Sequence, residues 1–189
     1  MIILIDCEQV YATDGDDDLG GSDFDMCLNN AILGKLSSDH SLTSEHTDSL
    51  FADLSDGKSD DEVARMLHSE LGTSPSQLCT TPSIRQKSED VKKALTYNTT
   101  VEFTCDALLT TPPVEGSESV SSTTGLQVQT ISLSVSKDYF ESTCSELFAR
   151  GLIPVTRLLD ELAMQKSDID EVVLVGGSTR IPLVKQQLR

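Results

Sequence analysis

The stretch VVLVGGSTRIP, Val172 to Pro182, decides how this chain is read. Four apolar residues running straight into two glycines spell a buried strand whose end turns sharply, and Ser178, Thr179 and Pro182 read as the opening of a helix. In an open α/β sheet such a turn lies beyond the carboxyl edge of the strands. Side-chain-free glycines there let a ligand approach the backbone, and the helix start offers free N–H groups. A plain tight strand-to-helix connection has the same pattern, so the surrounding sequence must discriminate.

Working backwards from Glu171, a helical pattern starts at Ser136 and runs through Phe140, Cys144, Leu147 and Phe148. Gly151 and Pro154 predict an interruption, after which Val155, Leu158, Leu159 and Leu162 resume it. Val101 to Cys105 and Val128 to Val135 alternate in hydrophobicity and are rich in β-branched residues, as strands are. The Pro-, Ser- and Thr-rich segment before the second of them, residues 106–125, is longer than a hairpin needs and is expected to be a flexible insertion. A helix is expected from Pro82 to Tyr97 with Thr81 as its N-cap. Another starts at Ser59, where Ser59 and Glu62 make a capping-box pattern ahead of Val63, Met66, Leu67 and Leu71. Residues 37–59 contain nine Ser or Thr among twenty-three, and a second flexible insertion is expected there. Phe24, Leu28, Ile32 and Leu36 recur at helical spacing. Met1 to Ile5 and Gln9 to Thr13 read as two strands turning around Asp6 to Glu8. An apolar strand at the first residue also leads us to expect sequence upstream.

Composition limits the function classes. The 189 residues carry 31 acidic against 14 basic side chains, a formal charge of −17, which argues against a nucleic-acid or anionic-membrane surface. Twelve of the acids lie between Asp14 and Asp60, against two bases. The five cysteines form no Cys-x-x-Cys pair, so neither a zinc site nor a disulfide framework is expected and the thiols read as reduced. His40, His46 and His68 are too irregularly placed for metal ligands. No segment is long enough to span a membrane, and MIILID is too short and too acidic in its flank for a signal-peptide core. Asn98-Thr99-Thr100 is a sequon for N-glycosylation.

Three motifs stand in order: LGGSDFD (Leu19 to Asp25), the helix face Glu89, Lys92, Lys93 and Thr96 within IRQKSEDVKKAL, and VGGSTRIP. Spacings of three and four put that helix face on one side, where a solvated Glu89–Lys93 pair is the plainer explanation. Together the motifs resemble the nucleotide-binding domain of the seventy-kilodalton heat-shock chaperone family, whose segments LGGEDFD and VLVGGSTRIP they match closely. The resemblance covers nearly the whole chain apart from the two insertions. It corresponds to about half of the family's ATPase domain, the second lobe.

The resemblance implies an α/β, actin-like ATPase (ribonuclease-H-like) lobe with a helical and β-hairpin tip, spanning 1–189. It puts Glu89 and Lys92 at the ribose hydroxyls of ATP or ADP and Thr96 toward the adenine edge. Lys93 and Arg180 would flank the adenine ring, the backbone of Gly176, Gly177 and Ser178 would close the pocket, and Gly21 would line the cleft. Lys93 replaces the family's arginine, and a lysine does not stack on a base as a guanidinium plane does, so a weaker clamp is expected. A few hydrogen bonds and partial stacking give affinity on the order of millimolar. The family's phosphate loops and metal-holding carboxylates correspond to no residues here, so this chain is not expected to hydrolyse ATP alone, and Mg²⁺ is expected only in a longer protein. Implied partners are nucleotide-exchange factors and co-chaperones at the tip; the family's substrate-binding domain has no counterpart in these residues. A cytoplasmic location is expected, with the endoplasmic reticulum as the alternative if a signal peptide precedes Met1. The readings from other classes are an acidic interaction scaffold without catalysis and an inactive truncated product.

Overall fold

The structure, a computed structural model, describes residues 2–5, 10–40, 44–110 and 126–188. In chain order these form β1 (Ile2–Ile5), β2 (Val10–Asp14), α1 (Gly21–His40), α2 (Ser44–Ser55) and α3 (Asp60–Met66), which continues into a π-helical turn (Leu67–Leu71). There follow α4 (Thr81–Ala94), β3 (Thr100–Thr110), β4 (Leu126–Ser136), α5 (Lys137–Thr143), α6 (Ser145–Glu161) and α7 (Pro182–Gln187), with 3-10 turns at Lys166–Asp168 and Gly177–Arg180. β1 pairs with β2 and β3 with β4, as two separate two-stranded sheets. The chain divides into two units, one of Met1–Leu28, Lys92–Thr99 and Ser136–Arg189, the other of Asn29–Val91 and Thr100–Val135.

In the first unit β1 and β2 are antiparallel, with Ile2 opposite Asp14, Leu4 opposite Ala12, and a bulge before the Ile5–Val10 pair. The expected strand pair is therefore present; its turn, residues 6–9, lies outside the described residues. Acids at and beyond the end of β2 hold α6: Arg157 Nε lies 2.9 Å from Asp14 Oδ2, and Arg150 Nη2 lies 2.7 Å from Asp16 Oδ2. The core is aromatic. Phe24 of α1 sits 4.8 Å, centroid to centroid, from Phe148 of α6 and 6.3 Å from Phe140 of α5, in the tilted and edge-on arrangements that ring quadrupoles favour. Leu28, Leu95, Leu158 and Ile181 are also buried in this unit.

Cys27 is bonded to Cys144 in this unit, with Cα atoms 6.1 Å apart. That corrects the expectation of reduced thiols. Cysteine spacing says nothing about which cysteines the fold brings within bridging distance. The helix interruption is also corrected: it falls at Cys144, between α5 and α6, while α6 runs unbroken through Gly151 and Pro154. Proline forfeits one hydrogen bond, and burial of the Pro154 ring offsets that loss.

The apolar run that opened the reading is not a strand. Residues 171–175 are irregular, with Val173 and Val175 76% and 83% exposed. A β-run gains its ladder only from a neighbour, and among the described residues none pairs with this one. The turn after it is as expected: Gly176 has φ +108°, ψ 164°, a region open essentially to glycine alone, and Pro182 starts α7.

The second unit is built on the later turns of α1, where Ile32 and Leu36 are buried, and on α4 with Ile84 and Val91. Residues 37–59 are largely helical rather than unstructured, since α1 reaches His40 and α2 fills 44–55. Leu50, Phe51 and Leu54 of α2 pack against Val63, Leu67, Leu78 and Leu108, a stripe at spacings of one and four that the Ser and Thr content masked. Asp48 of α2 accepts a 3.0 Å bond from the Thr81 amide, satisfying a free donor at the start of α4. The cap of α4 is accordingly one residue earlier than expected, at Thr80, whose carbonyl takes the Ile84 amide. At α3 the Ser59 amide donates to Glu62 Oε2 at 2.9 Å, as the capping box requires.

β3 and β4 are longer than their sequence signals, and β3 takes in residues 106–110. The rest of the expected second insertion, 111–125, lies outside the described residues. Phe103, Cys105 and Ala107 alternate inward along β3, as do Ile131, Leu133 and Val135 along β4. Asp106 accepts 2.7 Å bonds from Thr73 Oγ1 and Thr130 Oγ1, and a second disulfide joins Cys79 to Cys105.

Candidate functional site

Gly20 and Gly21 lead the chain into α1, and the Gly20 amide donates to Asp23 Oδ2 at 2.7 Å, placing negative charge at the helix's positive end. A Cβ on Gly21 would meet Ser178 Oγ at 3.5 Å and Lys92 Nζ at 3.7 Å. The Lys92 ammonium donates to the Gly21 carbonyl at 3.0 Å and lies 2.6 Å from Asp25 Oδ1. Residues from all three sequence motifs thus converge within the first unit.

Lys92 and Asp25 are only 14% and 20% exposed, so their attraction is weakly screened. Asp25 Oδ1 is buried with no hydrogen bond of good geometry, and the ammonium is what compensates its charge. The expectation placed Lys92 toward a ribose; the structure pairs it with a carboxylate. Asp25 is the site residue that sequence reasoning missed. Its signal was in LGGSDFD itself, because Asp25 stands four residues after Gly21 and shares its helix face.

Thr96 follows α4 in a turn and, with Lys92, Leu95, Lys137, Phe140, Glu141, Ile181 and Pro182, borders a shallow surface depression. It encloses essentially no space, whereas small-molecule pockets usually enclose roughly 300–1,000 Å³. Burial pushes the Glu141 carboxyl above the usual range, the Lys137 charge opposing this only in part, and its Oε1 lacks a hydrogen-bond partner among the described residues. Lys93, Gly176, Gly177 and Arg180 are exposed, with open space around both glycines, and Glu89, half-buried, belongs to the second unit. Of the nine expected site residues, Gly21, Lys92 and Ser178 meet, and Thr96 borders the same depression as Lys92.

The family model described as Hsp70 protein matches residues 80–189. A heat shock cognate HSP70 protein of Trypanosoma brucei brucei is 30% identical over 181 residues, which cover 96% of this chain and 20% of that protein. A mitochondrial heat shock 70 kDa protein of Trypanosoma cruzi is also 30% identical over 181 residues, 96% of this chain and 21% of its own length. The chaperone protein dnaK3 of Synechococcus elongatus is 47% identical over 55 residues, 29% of this chain and 7% of that protein. Matches of this kind set the chain among chaperone homologues, and within them it belongs to the Hsp70 family. Membership implies the actin-like ATPase fold. The chain spans about a fifth of the length of the first two relatives.

Proposed function

We propose that this chain forms the second lobe of an actin-like ATPase domain, with a helical and β-hairpin tip, and binds ATP or ADP through the adenosine half of the site. The observation that carries this reading is the meeting of Gly21, Lys92 and Ser178, drawn from three motifs far apart in sequence. The donor set fits a nucleoside. Gly21 leaves the backbone bare, Thr96 offers a hydroxyl, and Arg180, exposed beside the Gly176 turn, is free to stack. Lys92 would bind the ribose, which requires its ammonium to share itself between Asp25 and the sugar. Lys93 would make a weaker second face than an arginine, with the backbone of Gly176, Gly177 and Ser178 closing the pocket. The ligand would lie over the open glycines, because the depression bordered by Thr96 encloses no room for it.

In a longer protein, ATP bound here would drive assisted protein folding, with co-chaperones and nucleotide-exchange factors as partners. The second unit would be the tip that exchange factors grip, and α2 would change that surface. Phosphoryl transfer itself, with its Mg²⁺, is assigned to residues outside these 189.

Thermal unfolding of the purified chain with and without ATP, ADP and adenosine tests the reading. At ten times a millimolar Kd each ligand should stabilise by about 1.4 kcal/mol, a Tm rise of about 3–5 °C for a chain of this size. Arg180→Ala should abolish the rise. A cooperative transition indifferent to all three ligands would leave the acidic scaffold as the better reading.

A further inference from the structure

Two observations are independent of the nucleotide reading and point the same way. The first is chemical: four cysteines are paired, Cys27 with Cys144 inside one unit and Cys79 with Cys105 inside the other. Cys79, Cys105 and Cys144 are 1–4% exposed. Paired cysteines at such positions persist where the surroundings oxidise thiols, in secretory and extracellular spaces, and are rare where thiol reductants act. The second is the sequon Asn98-Thr99-Thr100, whose three residues are all exposed, running from the short connection after α4 into the first residue of β3. Its middle residue, Thr99, is not proline, and the hydroxyl residue Thr100 follows it, as transfer of an N-linked oligosaccharide requires.

We propose that Asn98 carries an N-linked glycan and that this chain folds in the oxidising compartment where such glycans are attached. The local geometry accommodates the modification. Asn98 Nδ2 donates one bond, 3.0 Å, to the Ala94 carbonyl, on the exposed end of α4. The amide nitrogen has two hydrogens. Transfer from a lipid-linked glycosyl diphosphate forms one N–C bond and breaks the glycosyl C–O bond. The displaced amide hydrogen leaves as a proton, the lipid diphosphate leaves with the electron pair, and no oxidant or reductant is consumed. One N–H remains on the nitrogen after transfer, and a secondary amide still has a donor to offer the end of α4. The same compartment supplies the oxidising conditions the two disulfides need.

The test uses the protein isolated from its own cells without reductant. Expected are one discrete step in gel mobility removed by peptide-N-glycosidase, conversion of Asn98 to aspartate in the released peptide, and alkylation of Cys27, Cys79, Cys105 and Cys144 only after reduction. In tagged copies returned to those cells, Asn98→Gln and Thr100→Ala should each lose the step, while Thr100→Ser keeps it. Recovery of the Asn98 peptide unmodified, or labelling of the four cysteines without reduction, overturns the proposal. Because both readouts are covalent, they are unaffected by whether the chain binds nucleotide or whether a variant is less stable.

Discussion

Asp25 and Lys92 form an ion pair of 2.6 Å in which both groups are at least four-fifths buried, and the same ammonium holds the Gly21 carbonyl. Neither charge has a cheap alternative, because each would otherwise be left in a poorly solvated position. Asp25→Asn should therefore destabilise by about 1.5–3 kcal/mol, the usual worth of a hydrogen bond to a charged group. The check is a urea double-mutant cycle with Lys92→Met, which keeps the aliphatic stem. If the two effects add within about 0.5 kcal/mol, the pair is not coupled and the prediction is wrong.

The two disulfides should contribute unequally. Their sequence separations are 117 and 26 residues. In the chain-entropy model those loops correspond to roughly 5 and 3.5 kcal/mol. Cys27→Ala/Cys144→Ala should lower the urea midpoint more than Cys79→Ala/Cys105→Ala does. The reverse order would show that strain or denatured-state structure, not loop length, governs these bridges.

Phe24→Ala removes the ring shared by both of the contacts to Phe140 and Phe148. The loss should be about 3–5 kcal/mol, from transfer and cavity together. Equilibrium denaturation measures it, and a loss below 1 kcal/mol would mean that the aromatic cluster collapses around the gap.

Asp16 is held below the usual carboxylate range, chiefly by its hydrogen bond to Arg150. A carboxyl depressed in the native state stabilises above its unfolded pKa, and that contribution disappears as pH falls through the native value. Arg150→Ala should thus lower Tm near neutral pH, by a margin that shrinks toward zero as the solution is acidified through the aspartate range. A margin that stays constant down to about pH 2 would assign the effect to packing of the arginine stem instead.

Glu141 has the opposite sign. Burial raises its carboxyl, so the native state holds a proton longer than the unfolded chain, and stability from this group is lost as pH rises through that window. Glu141→Gln keeps the shape without the charge. Its Tm should equal that of the parent near pH 4 and exceed it near pH 7. A variant less stable than the parent at neutral pH would show that the carboxylate has a partner worth more than its desolvation.

Much was legible in the residues themselves, for identifiable reasons. Helix α1 was readable because Phe24, Leu28, Ile32 and Leu36 mark one face on their own, and all four are buried. The Ser59–Glu62 cap and Pro182 at the start of α7 are local hydrogen-bond and sterics problems, solved within four residues. Helix α2 was not readable, because Ser and Thr dominate its composition while its three anchoring residues acquire meaning only against Val63, Leu67 and Leu108.

What the sequence by itself determined is the order of the motifs, hence the family, and every feature set by neighbours along the chain. Gly176 had to be glycine because only glycine adopts its backbone angles. Tertiary structure alone decided the pairings: Cys27 with Cys144, Cys79 with Cys105, Asp25 with Lys92, and the fate of Val172 to Val175, apolar enough for a strand but unpaired among the described residues. A disulfide, an ion pair and a β-ladder each need a second partner brought close in space, and one-dimensional spacing records nothing of that distance.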